Sequence, residues 1–249
     1  MTAIRESKVA VVAGGTRGIG AQICRRLAAD GVDLVIGFAH DPVAADKLVG
    51  EITETGARAI AVRADIGRTA DVDRLFAEAE EFFGGVDIVI SCAGAHARRR
   101  GPIAVTEDAD FDRVVDVNLR GTFTMLRAAA AKVRAGGRIV TFSSSAAALG
   151  VPGQAVYNAC KVAVESLTHQ LAKELAGKEI TANSVSPGPT ATELLLASRS
   201  ADDIAAIAKQ VPLGRIGQTE DIADVVAWLV GARGGWINGQ VVRANGGLV

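Results

Sequence analysis

The sequence has one tyrosine, Tyr157, and only 4% aromatic residues. It has three cysteines, Cys24, Cys92 and Cys160, an odd number without metal-ligand spacing. Neither a disulfide framework nor a metal site is expected from them. Charge of one sign is also lacking. Lys and Arg number 27 against 28 Asp and Glu, a net charge of −1. A nucleic-acid partner, which needs an excess of cations facing phosphates, is therefore not expected. No run reaches the roughly 18 apolar residues of a membrane span, so no membrane partner is expected. The opening stretch MTAIRESKVAVVAGG is interrupted by Arg5, Glu6 and Lys8, which leaves no apolar signal-peptide core. A reducing, cytoplasmic setting is the expectation. What remains is 249 residues, 49% of them hydrophobic and 22% charged, a globular composition able to bury a large core.

Short apolar runs alternate with helical patterns along the chain. Strands are expected at Lys8–Ala13, Asp33–Gly37, Arg58–Val62, Val86–Ser91, Arg138–Ser143, Thr181–Val185 and Gln240–Arg243. Helices are expected at Gly18–Asp30, Val43–Thr55, Thr69–Phe83, Phe111–Ala135, Gln154–Ala176, Ile204–Gln210 and Asp221–Val230. Strands without polar alternation, separated by helices, call for a parallel sheet covered on both faces. The right-handed crossover rule makes it a doubly wound α/β sheet of the Rossmann type, about seven strands in one domain over 1–249.

Gly14, Gly15, Gly18 and Gly20 join the first strand to the first helix. Glycine allows a tight turn and lets backbone approach a pyrophosphate at a helix N-terminus. The spacing is G-x-x-x-G-x-G, not the strict dinucleotide fingerprint. Asp65 and Ile66 follow the third strand, where an acid can accept from an adenine amino group or cap the next helix. Tyr157 and Lys161 are four residues apart, on one face of a helix. An ammonium beside a phenol favours the phenolate and lowers its pKa, so the pair can move a proton at a carbonyl or alcohol oxygen. Ser143, Ser144 and Ser145 end a strand at the carboxyl edge where such sheets bind ligands.

Together these features resemble the short-chain dehydrogenase/reductase family in its single-domain branch. The motifs fall in that family's order: Gly14–Gly20, Asp65, Cys92-Ala93-Gly94, Asn118, then Ser144, Tyr157 and Lys161, then Pro187-Gly188 with Thr192. The resemblance implies Tyr157 as general acid/base, Lys161 lowering its pKa and holding the cofactor ribose, and Ser144 on the substrate oxygen. It implies that Asn118 binds a water linking Lys161 to a proton relay. Gly14, Arg17, Gly18, Ile19, Gly20, Asp65, Ile66, Ala93 and Gly94 would hold the nucleotide. Pro187, Gly188, Thr190 and Thr192 would hold the nicotinamide carboxamide. Two departures stand out: Ala13 where the family commonly has Thr, and Ser91-Cys92 where it commonly has Asn-Asn. The second removes an amide that ties strands beside the cofactor.

At the end of the second strand, where NAD-using relatives carry an acid, this chain has Phe38. With Arg17 in the glycine loop and His40 nearby, NADP(H) is favoured over NAD(H), although Asp41 opposes a 2′-phosphate. The pattern is similar to NADPH-dependent 3-oxoacyl and aromatic-polyketide ketoreductases. The expected reaction is hydride transfer between nicotinamide and a ketone or secondary alcohol. The alternatives are a 3-oxoacyl carrier-protein reductase specifically, or a non-catalytic NADP-binding sensor on the same fold. Residues 189–212, with Leu194, Leu195, Leu196, Ile204 and Ile207, would form a substrate lid. His96 either lines the pocket or faces solvent. The basic run Arg98-Arg99-Arg100 is either a solvated loop or a contact for an anionic substrate or phosphopantetheine carrier. A homotetramer packed through the two long helices is implied by the resemblance alone.

Overall fold

A computed structural model describes residues 7–197 and 199–249. Arg5, Glu6 and the side chain of Leu194 lie outside the described residues. Seven strands form one parallel sheet: β1 (Val9–Ala13), β2 (Asp33–Phe38), β3 (Ala59–Arg63), β4 (Val86–Ser91), β5 (Val133–Phe142), β6 (Thr181–Pro187) and β7 (Val241–Ala244). Their order is β3-β2-β1-β4-β5-β6-β7. Alternate residues of β1 serve opposite cores. Val9, Val11 and Ala13 join a core with Leu75, Phe76 and Met125. Ala10 and Val12 join another with Ile23, Leu34 and Leu48. Apolar layers on both faces explain why the strands carry uninterrupted apolar runs.

The chain leaves β1 towards β2 and β3, then returns to place β4 on the other flank of β1. The loops after β1 and β4 diverge at that reversal and open a crevice at the carboxyl ends of the strands. Helix α1 (Gly18–Ala29) follows β1, α2 (Pro42–Glu54) follows β2, and α3 (Thr69–Phe83) follows β3.

The expected long helix Phe111–Ala135 differs from the structure. It runs as α4 (Asp108–Val115), a π turn (Asp116–Arg120) and α5 (Gly121–Lys132). Val133 is already extended and opens β5, so the strand starts before the expected Arg138. Val133 pairs with Val86, and a register shift follows before Arg138 pairs with Ile88. Gly136, at φ +77°, and Gly137 make the irregularity possible. A Cβ on Gly137 would lie 2.3 Å from a Val133 methyl.

Further short helices are α6 (Ser145–Leu149) and α8 (Glu193–Ala197). Helix α7 (Ala155–Glu174) crosses behind the crevice, and α10 (Thr219–Val230) packs on α1. Helix α9 (Ala201–Gln210) begins earlier than the expected Ile204, because Ser200 and Asp203 form a capping box. It buries none of its residues. Among the described residues no helix is long and apolar enough to cross a membrane. No group of His, Cys, Asp or Glu is gathered there as metal ligands.

Candidate active site

The nucleotide end of the crevice is built from backbone. Gly14 turns at φ +74° and Gly18 at φ +52°. A Cβ on Gly14 would lie 2.7 Å from the Ala93 backbone, and one on Gly20 would lie 2.1 Å from the Gly14 carbonyl oxygen. Glycine is therefore required at both positions by close approach. Arg17 is the exposed N-cap of α1, and no side chain caps that end. The first amides of α1, which include Gly18, Ile19 and Gly20, are left for an anion.

Around this cradle the other expected residues take different positions. Phe38 is buried at the tip of β2, in register with Arg63 of β3. His40 is exposed beyond it. The Asp41 carboxylate accepts from Ala44 N at 3.0 Å and caps α2. The expected conflict with a 2′-phosphate is thus reduced, because that charge is held at a helix N-terminus. Asp65 is tied into its own turn, with Oδ1 accepting from Gly67 N at 3.0 Å. Ile66 is buried, and a Cβ on Gly121 would lie 2.6 Å from its side chain. That side chain belongs to the core and does not face the crevice. Ala93 borders Gly14, and Thr192 lies over Gly18, its methyl 3.2 Å from where a Cβ would stand. Pro187 ends β6 beside Ala244, and Gly188 N donates to the Ala244 carbonyl at 2.9 Å. Thr190 is buried and donates to the Gly188 carbonyl at 3.0 Å.

The other end of the crevice is built from polar side chains. Asn118 stands in the π turn, fully buried. Its amide donates to the Ala95 carbonyl at 2.7 Å and the Val114 carbonyl at 2.9 Å, and its Oδ1 accepts from Ala95 N at 3.3 Å. Asn118 thereby fixes the loop after β4. Gly94 lies in that loop, where a Cβ would stand 3.1 Å from Asn118 Oδ1 and 3.6 Å from Lys161 Nζ. Lys161 is 3% exposed, and its Nζ donates to the Phe142 carbonyl at 2.9 Å. Burial pushes its pKa down to about 8.

Ser144 caps α6, its Oγ accepting from Ala146 N at 3.2 Å, and its hydroxyl lies close enough to the Tyr157 phenol to lower its pKa. Lys161 Nζ lies 5.4 Å from the Tyr157 ring centre. The net shift of the phenol is set by burial. Burial pushes Tyr157 up, while the Ser144 bond and the Arg100 charge pull it down. The Lys161 ammonium donates to the Phe142 carbonyl and is itself desolvated. Cys92 replaces the usual amide beside the cradle. Burial pushes its thiol up to about 12, so it is a poor nucleophile there.

Of the two sequence readings of His96, the structure supports the lining one. Its ring packs on Tyr157, centroids 4.1 Å apart and planes at 33°. Asn245 was not anticipated. It donates to Ser145 Oγ at 3.1 Å, and its Oδ1 accepts from Gly247 N at 3.0 Å. It thus straps the chain's last turn onto the serine loop. The only sequence signal was an Asn just before the Gly246-Gly247 pair.

Known proteins share this layout. A family model described as enoyl-(acyl carrier protein) reductase matches residues 13–249. A short-chain type dehydrogenase/reductase of Picea abies is 40% identical over 250 residues, covering 97% of this chain and 92% of that one. An NADPH-dependent aldehyde reductase 2, chloroplastic, of Arabidopsis thaliana is 40% identical over 255 residues, covering 97% and 94%. A solved structure of a blue fluorescent protein from a metagenomic library, in complex with NADPH, superposes with a TM-score of 0.91 at 36% identity, covering 97% and 98%. A seven-stranded doubly wound sheet, a glycine cradle and a serine–tyrosine–lysine cluster, matched along nearly the whole length, place this chain in the short-chain dehydrogenase/reductase family of oxidoreductases.

Proposed function

We propose that the protein is an NADP(H)-dependent carbonyl reductase, reversible as a secondary-alcohol dehydrogenase, with Tyr157 as its general acid/base. The observation that carries this reading is the convergence of Ser144, Tyr157, Lys161 and Asn118 at one end of a crevice whose other end is a glycine cradle. The cradle fits a dinucleotide, since a Cβ at Gly14 or Gly20 would fill it and α1 has no side-chain cap. Gly14, Gly18, Ile19 and Gly20 would hold the pyrophosphate, Asp65 the adenine side, and Pro187, Gly188, Thr190 and Thr192 the carboxamide. Ala93, Gly94 and Lys161 would border the nicotinamide riboside. Arg17 and His40 would face a 2′-phosphate, beside the buried Phe38, with the Asp41 carboxylate drawn to the start of α2. The NADPH named for the Arabidopsis relative and for the metagenomic structure supports that preference. Bound NADPH supplies the hydride.

The chain's own residues supply position and the proton. The Ser144 hydroxyl and the Tyr157 phenol, neighbours at this end of the crevice, would together hold a carbonyl oxygen. Burial keeps the phenol protonated, the form that donates in the reductive direction, while the Ser144 and Arg100 effects offset part of the rise. Lys161, close to neutral pH in its titration, can refill that proton towards the gap at Gly94 that Asn118 shares. Segment 189–212 would cover the substrate, because α9 buries no side chain in the rest of the protein.

Exposed Phe111, Phe123 and Val162, on α4, α5 and α7, give the long helices an apolar surface on which copies of the chain would pack as a tetramer. Three free cysteines suit a reducing, cytoplasmic compartment.

The test is a fluorescence titration with NADPH and with NADH, on the wild type and on Arg17→Ala. NADPH is expected to bind tighter, and the variant to lose about five-fold in NADPH affinity while NADH changes little, the size of one exposed charge contact. Tighter NADH, or equal losses for both, would overturn the assignment.

A further inference from the structure

A small cleft opens beside the Tyr157 ring, between the loop after β4 and the start of α7. His96, Arg99, Arg100, Asp110, Gln154 and Tyr157 are among its walls. Its charge is unusual. Arg99 and Arg100 are exposed, and among the described residues neither forms an ion pair. The acid in the wall is Asp110, and both its oxygens are engaged: Oδ1 accepts from Arg98 N at 2.9 Å and Oδ2 from Arg99 N at 3.2 Å. Asp110 therefore pins the backbone of the basic run and leaves the guanidinium groups of Arg99 and Arg100 unpaired. The Arg100 charge reaches both rings of the stack, since it lowers the titration of Tyr157 and of His96.

His96 adds a second unsatisfied group. Its Nδ1 is buried and has no hydrogen-bond partner. Burial and the Arg100 charge push its pKa down to about 4, so the imidazole is neutral and can donate or accept one hydrogen bond. A buried polar atom without a partner among the described residues is uncommon, and a water or a ligand polar group would satisfy it. A substrate whose carbonyl oxygen sits on Ser144 and Tyr157 would reach past the His96 ring to the cations.

Resting on the reductase reading, we propose that this cleft selects carbonyl compounds that carry a carboxylate, with Arg100 pairing the carboxylate and His96 hydrogen-bonding the substrate between carboxylate and carbonyl. The nearby Asp110 keeps its charge but turns both oxygens to the amides of Arg98 and Arg99. The chemistry of the reaction is unchanged. Hydride passes to the carbonyl carbon, the proton passes to the oxygen, and the carboxylate takes no part in the transfer.

The experiment compares 4-carboxybenzaldehyde with its methyl ester as substrates with NADPH, for the wild type, Arg100→Gln and Arg98→Gln. Arg98 is in the same run but does not line the cleft. The wild type is expected to prefer the acid by about ten-fold or more in kcat/KM, expressed in KM, which is the size of one hydrogen bond to a charged group. Arg100→Gln should remove most of that preference, through a higher KM for the acid than for the ester, with the NADPH Kd unchanged. Arg98→Gln should keep it. Equal use of acid and ester by the wild type, or equal loss in both variants, overturns the carboxylate assignment and leaves the reductase reading standing. Turnover of neither compound overturns both.

Discussion

The two ends of the crevice hold their shape by opposite means. At the nucleotide end the walls are backbone, and the tolerances are steric: Gly14 and Gly20 admit no added carbon without a clash below 3 Å. At the chemical end the walls are polar side chains, and the tolerances are electrostatic. Asn118 and Lys161 are withdrawn from water and hydrogen-bonded, and Tyr157 is half-buried against His96. The first end costs chain entropy but little electrostatic energy. The second buries a lysine and a phenol, whose pKa values move in the directions that burial dictates. Damage at the first end should therefore act on binding and folding, and damage at the second on proton transfer and its pH dependence.

The largest expected effect at the backbone end comes from Gly20→Ala. The new methyl would meet the Gly14 carbonyl oxygen at 2.1 Å, and backbone must move to relieve it. A stability loss of about 1–3 kcal/mol or more is expected, with NADPH affinity falling with it. Denaturant titration and a nucleotide titration check both. At the chemical end, Asn118→Leu leaves the amide and carbonyl of Ala95 and the Val114 carbonyl without their side-chain partner. Each buried group left unpaired costs about 1–3 kcal/mol, so the melting temperature should fall by ~5 °C or more. An unchanged melting temperature would mean that the π turn holds itself.

Lys161→Met gives a smaller effect with a distinctive pH signature. The folded protein binds this proton less tightly than the unfolded chain, with a pKa of about 8 against 10.5. The burial penalty is fully present below pH 8 and fades as the pH rises to 10.5. Wild-type stability should therefore gain on the variant across that window, by at most ~3 kcal/mol. Urea midpoints of both proteins at pH 7 and pH 10 measure it. Parallel changes would mean that Lys161 titrates as an exposed lysine does.

The backbone end was the more legible in the sequence. Apolar runs and a glycine cluster are local features, and the sheet packs both faces of β1 and β2 as those runs require. Residue types at the chemical end were legible too, but not their orientations. The π turn at Asp116–Arg120 leaves no mark on helical periodicity; the Asn118 amide bonding back to Val114 accompanies it. The early start of β5 was hidden because Val133 and Ala135 suit a helix pattern as well as a strand. The raised Tyr157 phenol depends on burial by residues far apart in the chain, which a spacing of four residues does not specify. The stacking of His96 on Tyr157 is a contact between a loop and a helix far apart in the chain. From the sequence Asp41 is only an acid opposing a 2′-phosphate, while the structure has it capping α2 just before Pro42.

The separation of the two ends is tested most directly by Tyr157→Phe, assayed for NADPH binding and for carbonyl turnover on the same preparation. The phenyl ring keeps the stack with His96 and loses only the hydroxyl that Ser144 contacts. The prediction is an NADPH Kd within about two-fold of the wild type, below the effect of one hydrogen bond, and a kcat lower by 10² to 10⁴, roughly the contribution of one acid/base group. Retained turnover, or a loss of NADPH affinity as large as the loss of rate, would contradict it.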